Sequence, residues 1–264
     1  MRLRGRIKKW LYGSVPGFSG SFPYCGARVY FPRDSHLFHR VCEAGIYEHD
    51  LVQLLTKLVH SGTTYFDVGA NIGLTSLPIL QARRDSEVVS FEPSPNALPY
   101  LSRTVRESPY GRRWQLVGAM VDGVKGESEF YVADPAEGAF DGSRPTGRVA
   151  TTGTVKVPVT TLDHEWITRG RPPVSVIKID VEGGELGVLR GAGECLRETR
   201  PFVLIEWNET NLKAHGVPLA DLLACAAAHR FSVLRLPDLV PVQTSGHLRA
   251  CAAAGIENFL LSPD

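Results

Sequence analysis

The chain has 264 residues, 43% of them hydrophobic, and a formal net charge of +1. That length and apolar content suit one large α/β domain with a complete core. The near-zero charge gives no global pull toward nucleic acid or acidic lipid, and no apolar run is long enough to span a bilayer.

The N-terminus is basic but lacks the apolar centre of a signal peptide. Arg2, Arg4, Arg6, Lys8 and Lys9 precede Trp10, Leu11 and Tyr12. This arm reads either as a solvated, partly disordered chain end or as a weak contact with a membrane surface. Trp10–Pro32, dense in Gly, Ser, Pro and aromatics, reads as an irregular cap or short hairpin. Residues 1–45 are therefore expected to be arm and cap, and 46–264 the main domain. Five scattered cysteines (Cys25, Cys42, Cys195, Cys225, Cys251) form no C-x-x-C pair. They suggest neither zinc nor a disulfide framework, and they read as reduced thiols of a cytoplasmic protein.

Leu51, Leu54, Leu55, Leu58 and Val59 recur at helical spacing, so Glu48–His60 is expected to be an amphipathic helix. Tyr65–Val68 reads as the first strand. Leu74–Arg83 follows as a helix with a kink expected at Pro78. Glu87–Glu92, a helix over Asn96–Glu107 and a strand over Trp114–Met120 continue the alternation, which calls for a parallel sheet wound right-handedly. The rhythm then breaks. Glu127–Ala133 and Val155–Leu162 read as an inserted hairpin (about 123–163). The Gly/Pro/Ser/Thr-rich stretch Asp134–Gly153 between them is either a lid or a floppy surface loop. Val174–Asp180 is the most buried-looking strand, and a helix is expected from the Gly183-Gly184 turn to Arg197. Phe202–Trp207 is the next strand, followed by an alanine-rich helix over Leu219–His229. Phe231–Leu236 and Asn258–Leu261 close a seven-stranded sheet whose last strand is antiparallel, with no clear helix between those two.

Asp67, Glu92, Asp180 and Glu206 each fall at the carboxy end of a different expected strand, where α/β folds bind ligands. Four converging acids repel one another unless a cation or a donor-rich ligand offsets them. Between the first strand and its helix runs Gly69-x-Asn71-x-Gly73. Its glycines permit a sharp bend close to a ligand. A dinucleotide fingerprint needs glycine at position 71, and Asn71 would crowd a pyrophosphate. S-adenosylmethionine (SAM) has no phosphate and needs acceptors for its ammonium and ribose groups, so the loop favours SAM. Glu92 follows Gly73 by about the interval at which an acid reaches ribose hydroxyls.

Asp67-Val-Gly-Ala-Asn-Ile-Gly73, Phe91-Glu-Pro93, Lys178-Ile-Asp-Val-Glu-Gly-Gly-Glu185 and Arg200-Pro-Phe-Val-Leu-Ile-Glu206 occur in that order. Together they resemble the FkbM-type family of SAM-dependent methyltransferases, over roughly Gly45 to Phe231. The resemblance implies the class I (Rossmann-like) methyltransferase fold. It also implies O-methylation of a hydroxyl on a sugar-containing molecule or secondary metabolite such as a polyketide, glycoside or glycolipid. By the same resemblance, Asp67, Gly69, Asn71 and Gly73 would hold the methionine part of SAM and Glu92 the ribose. Met120 and Asp122 would lie near adenine, and Asp180 would face the methyl group and the acceptor. The family often carries a histidine just after the strand-end glutamate, where this chain has Trp207-Asn208.

A sugar hydroxyl must lose its proton, so a base or metal should assist. Asp180, Glu182, Glu206 and His215, the last expected in a loop, are the candidates. Lys178 shares a strand face with Asp180. It reads either as an orienter or low-pKa base, or as a structural ion pair with Asp67 or Asp180. A divalent metal between Asp180 and Glu206 is an option that no ligand spacing demands. The competing readings are an NAD(P)-dependent oxidoreductase, against which the glycine spacing counts, and a non-catalytic SAM-binding module. The partner expected is a small-molecule or glycan acceptor, not nucleic acid.

Overall fold

A computed structural model describes residues 3–15, 20–32 and 34–264. Arg2 of the basic arm and residues 16–19 of the cap lie outside them. The first elements are α1 (Leu3–Ser14), β1 (Ser21–Tyr24), β2 (Ala27–Tyr30), α2 (His36–Ala44) and α3 (His49–Leu58). Then come β3 (Thr64–Val68), α4 (Ser76–Ala82), β4 (Glu87–Phe91), α5 (Leu98–Glu107) and β5 (Trp114–Val117). An inserted sheet uses β6 (Met120–Val121), β7 (Gly126–Val132) and β8 (Gly153–Thr160), and α6 (Leu162–Thr168) follows it. The second half holds β9 (Val174–Ile179), α7 (Glu185–Arg190), α8 (Gly193–Thr199), β10 (Phe202–Glu206) and α9 (Glu209–His215). It ends with α10 (Asp221–Ala228), β11 (Phe231–Arg235), β12 (Val240–Pro241), α11 (Ser245–Ala253) and β13 (Asn258–Pro263).

The main sheet runs β12-β11-β13-β10-β9-β3-β4-β5. Strands β10, β9, β3, β4 and β5 are parallel, and β13 is antiparallel to both β10 and β11. The expected seven strands with an antiparallel last member are thus present. A two-residue edge strand is added, where Pro241 sits without disturbing a central ladder. Every residue of β3 and β9 is buried, as a parallel strand covered on both faces requires. Phe66, Ile177 and Ile179 face a cluster completed by α6 to α11, whereas Tyr65 and Val176 face one completed by α2 to α5 and the β1–β2 hairpin. The hairpin insertion is a three-stranded sheet, β6-β8-β7.

Several expectations need correction. The arm is helical from Leu3. The cap is ordered: hairpin and α2 bury Phe22, Val29, Phe31 and Phe38 in the same cluster as Tyr65 and Trp114. Pro78 is the third residue of α4. In a first turn its missing N–H has no partner to lose, so the chemistry that would force a kink is absent. The strand expected over Trp114–Met120 ends at Val117, and Met120 joins the inserted sheet. The single helix expected up to Arg197 is two short ones, parted at Gly191-Ala192. A helix, α11, does lie between β12 and β13, capped by Thr244, whose hydroxyl accepts from the His247 N–H.

Candidate active site

One cavity of about 360 Å³ opens beyond the carboxyl ends of β3, β4, β9 and β10. Its two ends are built differently.

At the first end, the loop after β3 turns back on itself. The N–H groups of Gly69 and Ala70 both donate to the Phe91 carbonyl at 3.1 Å. Gly69 has φ +80°, and a Cβ there would lie 1.8 Å from the Asp180 carbonyl oxygen. Only glycine fits between the two strand ends. Asn71 also takes a left-handed conformation, φ 49°, and its N–H donates to Glu92 Oε2 at 2.8 Å. Glu92 Oε1 accepts the Ser94 N–H at 2.8 Å. Burial pushes the Glu92 carboxyl up to about 7, even though both N–H groups favour its charged form. Met120 and Asp122 complete this wall.

Two expected contact residues stand back from the cavity. Asp67 is fully buried, and its Oδ2 accepts the hydroxyls of Thr75 at 2.7 Å and Ser76 at 2.5 Å. Ser76 leads on to Ser90, which accepts the Trp114 indole N–H at 2.8 Å. Asp67 therefore pins the start of α4 and does not line the cavity. Gly73 does not line it either. A Cβ there would press on Trp114 at 2.8 Å, so this glycine serves packing.

At the other end, Asp180, Glu182 and Glu206 bring carboxylate oxygens within 4.8 Å of one another. Lys178, the cross-strand neighbour of Asp67, donates to Asp180 Oδ2 at 2.9 Å. Burial alone would lower its pKa, but Asp180, Asp67 and Glu48 outweigh it and keep the amine above its ordinary range. The raised pKa counts against a low-pKa lysine base, and Lys178 forms an ion pair with Asp180. Glu182 Oε2 accepts from Arg148 Nη1 at 2.9 Å and from Asn211 Nδ2 at 2.8 Å. Burial and the Asp180 charge raise the Glu182 carboxyl to about 7, with Arg148 pulling it back. Glu206 lines the cavity, and its buried Oε2 has no hydrogen-bond partner. Burial first, then the charges of Asp180, Glu182 and Glu185, raise it well above the usual carboxylate range.

His215 is not in a loop: it closes α9. It does not line the cavity, and its ring packs so tightly on Gly183 that a Cβ there would meet it at 2.5 Å. Burial lowers its pKa. Asn208, where a histidine was of interest, caps α9 by accepting the N–H groups of Thr210 and Asn211.

The stretch 134–153 packs along the cavity. Asp141 accepts from Ser94, from Asn96 Nδ2 at 3.0 Å and from the Ala133 N–H at 2.7 Å. Phe140, Asp141, Ser143 and Arg148 line the cavity. Sequence reasoning missed Arg148, His36 and Arg40. All three line the cavity, from the 134–153 stretch or the N-terminal region, and no motif marked them. Tyr47 and Glu48 line it too, Glu48 with φ 44°.

This sheet order and strand-end site define a class I methyltransferase fold. The description of the methyltransferase FkbM domain matches residues 67–231, and the chain belongs to that family. It is 29% identical to a hexuronic acid methyltransferase (AglP) of Haloferax volcanii, over 60% of this chain and 62% of that protein. It is 25% identical to the 2-O-methyltransferase NoeI of Sinorhizobium fredii, over 65% of this chain and 74% of that protein. The crystal structure of a methyltransferase FkbM from Methylobacillus flagellatus superposes with a TM-score of 0.50 at 17% identity, covering 85% of this chain and 51% of the other. The chain thus spans under two thirds of two of these relatives.

Proposed function

We propose that the chain is a SAM-dependent O-methyltransferase acting on a hydroxyl of a sugar-containing molecule or related metabolite. Glu206 carries the reading: a buried carboxylate with a raised pKa and an unpartnered oxygen, at the far end of a cavity whose near end suits SAM. The residues present fit that cofactor. Gly69 and Asn71, both at positive φ, turn the loop along the cavity wall, and Glu92 and Asp122 offer acceptors without a phosphate cradle. When bound, SAM supplies a methyl group activated by its sulfonium.

The protein's own residues do the rest. Gly69, Asn71 and Glu92 hold the cofactor, with Met120 and Asp122 along its wall. Asp180, oriented by Lys178, and Glu182, held by Arg148 and Asn211, shape the acceptor end. Glu206 receives the hydroxyl proton, and its raised pKa makes its carboxylate a stronger base than an ordinary one. Placing the acceptor oxygen in line can contribute ~7–11 kcal/mol, and the lid limits water. The printed names of the two relatives, one a hexuronic acid methyltransferase and one a 2-O-methyltransferase, support a sugar acceptor. Five free cysteines suit the reducing cytoplasm.

S-adenosylhomocysteine is expected to raise the melting temperature, whereas NADH is not, because only a ligand of the folded state stabilises it. The reverse result would end this reading in favour of the oxidoreductase. The same three carboxylates are the one grouping among the described residues spaced to hold a metal ion. Transfer that persists in EDTA assigns them to proton removal; transfer abolished by EDTA and restored by Mg²⁺ assigns them to a cation.

A further inference from the structure

The first 33 residues contain seven Lys or Arg and no Asp or Glu. Helix α1 carries four of these seven cations. Its inner side is fixed: Gly5 is buried, and Tyr12 packs with the cluster that includes α2. On the outer side, Ile7 is 53% and Trp10 64% exposed. Three residues apart on a helix, they are neighbours on one face. Arg6, four residues before Trp10, is exposed beside them. Lys8 and Lys9 are exposed on the side toward α2, where their charges reach Cys42, and none of the three forms an ion pair among the described residues.

We propose that α1 docks the protein on an anionic lipid surface, with Ile7 and Trp10 entering the headgroup boundary, Arg6 meeting the lipid phosphates beside them, and Lys8 and Lys9 adding positive charge from behind. The charge complementarity is that of an interfacial helix: an aromatic and a branched apolar residue on the outer face, with cations alongside and above it. A polyanion such as nucleic acid would use the cations but would leave the exposed apolar pair without a role. No helix among the described residues is long and apolar enough to cross a membrane, so this contact is peripheral. It also has a geometric consequence. Helix α2, on which α1 packs, contributes His36, Leu37 and Arg40 to the cavity wall, so a docked α1 holds the acceptor side close to the lipid. The proposal does not depend on the methyl-transfer reading.

The molecule carries its own probe. Trp10 is exposed, while Trp114, Trp166 and Trp207 are each only 1% exposed. Vesicles of brominated phosphatidylcholine with phosphatidylglycerol are expected to quench Trp10 fluorescence, and vesicles of brominated phosphatidylcholine alone are not. In cosedimentation, the K8E/K9E pair and the I7S/W10S pair should each weaken binding to the anionic vesicles by about tenfold or more, at unchanged melting temperature. Absent quenching, or equal binding to neutral vesicles, overturns the proposal. So does an I7S/W10S variant that binds anionic vesicles like wild type while a double-stranded oligonucleotide competes, since the patch would then read polyanions and not lipid.

Discussion

The two ends of the cavity are made by different means. The Gly69–Glu92 end is a backbone construction. One glycine-dependent close approach, Gly69 against the Asp180 carbonyl, and four N–H donors in the loops after β3 and β4 set its shape. The Asp180–Glu206 end is a side-chain construction, in which Lys178 holds Asp180, and Arg148 and Asn211 hold Glu182, beside Glu206. A backbone site tolerates little change and leaves a readable spacing. A side-chain site is tuned by neighbours from distant segments. The difference predicts that damage to one end should spare the function of the other.

The largest effect is expected at Glu206. Glu206→Gln keeps the shape and removes the proton acceptor, so transfer should fall by ~10²–10⁴, while the melting shift with S-adenosylhomocysteine persists. Parallel rate and thermal-shift measurements check this; loss of both together would erase the division between the ends. Glu92→Gln is the converse. One of the two N–H groups then faces an amide NH₂, and a lost hydrogen bond to a charged group costs ~1.5–3 kcal/mol. Cofactor affinity by titration calorimetry should therefore drop about tenfold or more, with the rate at saturation little changed.

Legibility followed the same divide. The parallel core was readable because β3, β4, β9 and β10 are short apolar runs punctuated by Gly, Pro or acid. The Gly69-x-Asn71-x-Gly73 spacing likewise announced a turn that would not accept a pyrophosphate. What stayed hidden has physical reasons. Asp67 looked like a ligand contact because position along a strand does not reveal that Thr75 and Ser76 fold back to claim it. Helices α2, α9 and α11 are only seven to nine residues long. Their start signals are the side-chain caps Ser35, Asn208 and Thr244, which are weak in a polar stretch. Arg148 reaches Glu182 across 34 residues of chain, and nothing local could have paired them.

Arg148 makes the comparison finer. Arg148→Ala removes the cation that holds Glu182 down, so the Glu182 carboxyl should titrate above its present value of about 7. In the intact protein, transfer should rise with pH above the usual carboxylate range, because Glu206, raised by burial and its acidic neighbours, must be unprotonated to take a proton. In the variant that rise should move to higher pH, and the KM for acceptor should increase about three- to tenfold for one lost charge-assisted contact. A KM change without any movement of the pH limb would separate lid closure from carboxylate tuning.

The smallest effect is expected at His215, and it decides where the acceptor end stops. The ring is held neutral by burial, its Nε2 has no hydrogen-bond partner, and it does not reach the cavity. It fills the space beside Gly183, next to Glu182. His215→Gln should therefore cost ~1 kcal/mol of stability through imperfect packing and change the turnover rate by less than about twofold. Rates across pH for this variant and for Glu206→Gln should differ in kind: the first keeps the rise with pH that a raised carboxylate base produces, the second loses it. A His215 variant that lost the rise would move the base off the sheet edge and onto α9. The acceptor end would then be built from a helix end as well as from strand ends, and the carboxylates would be left to orient the acceptor.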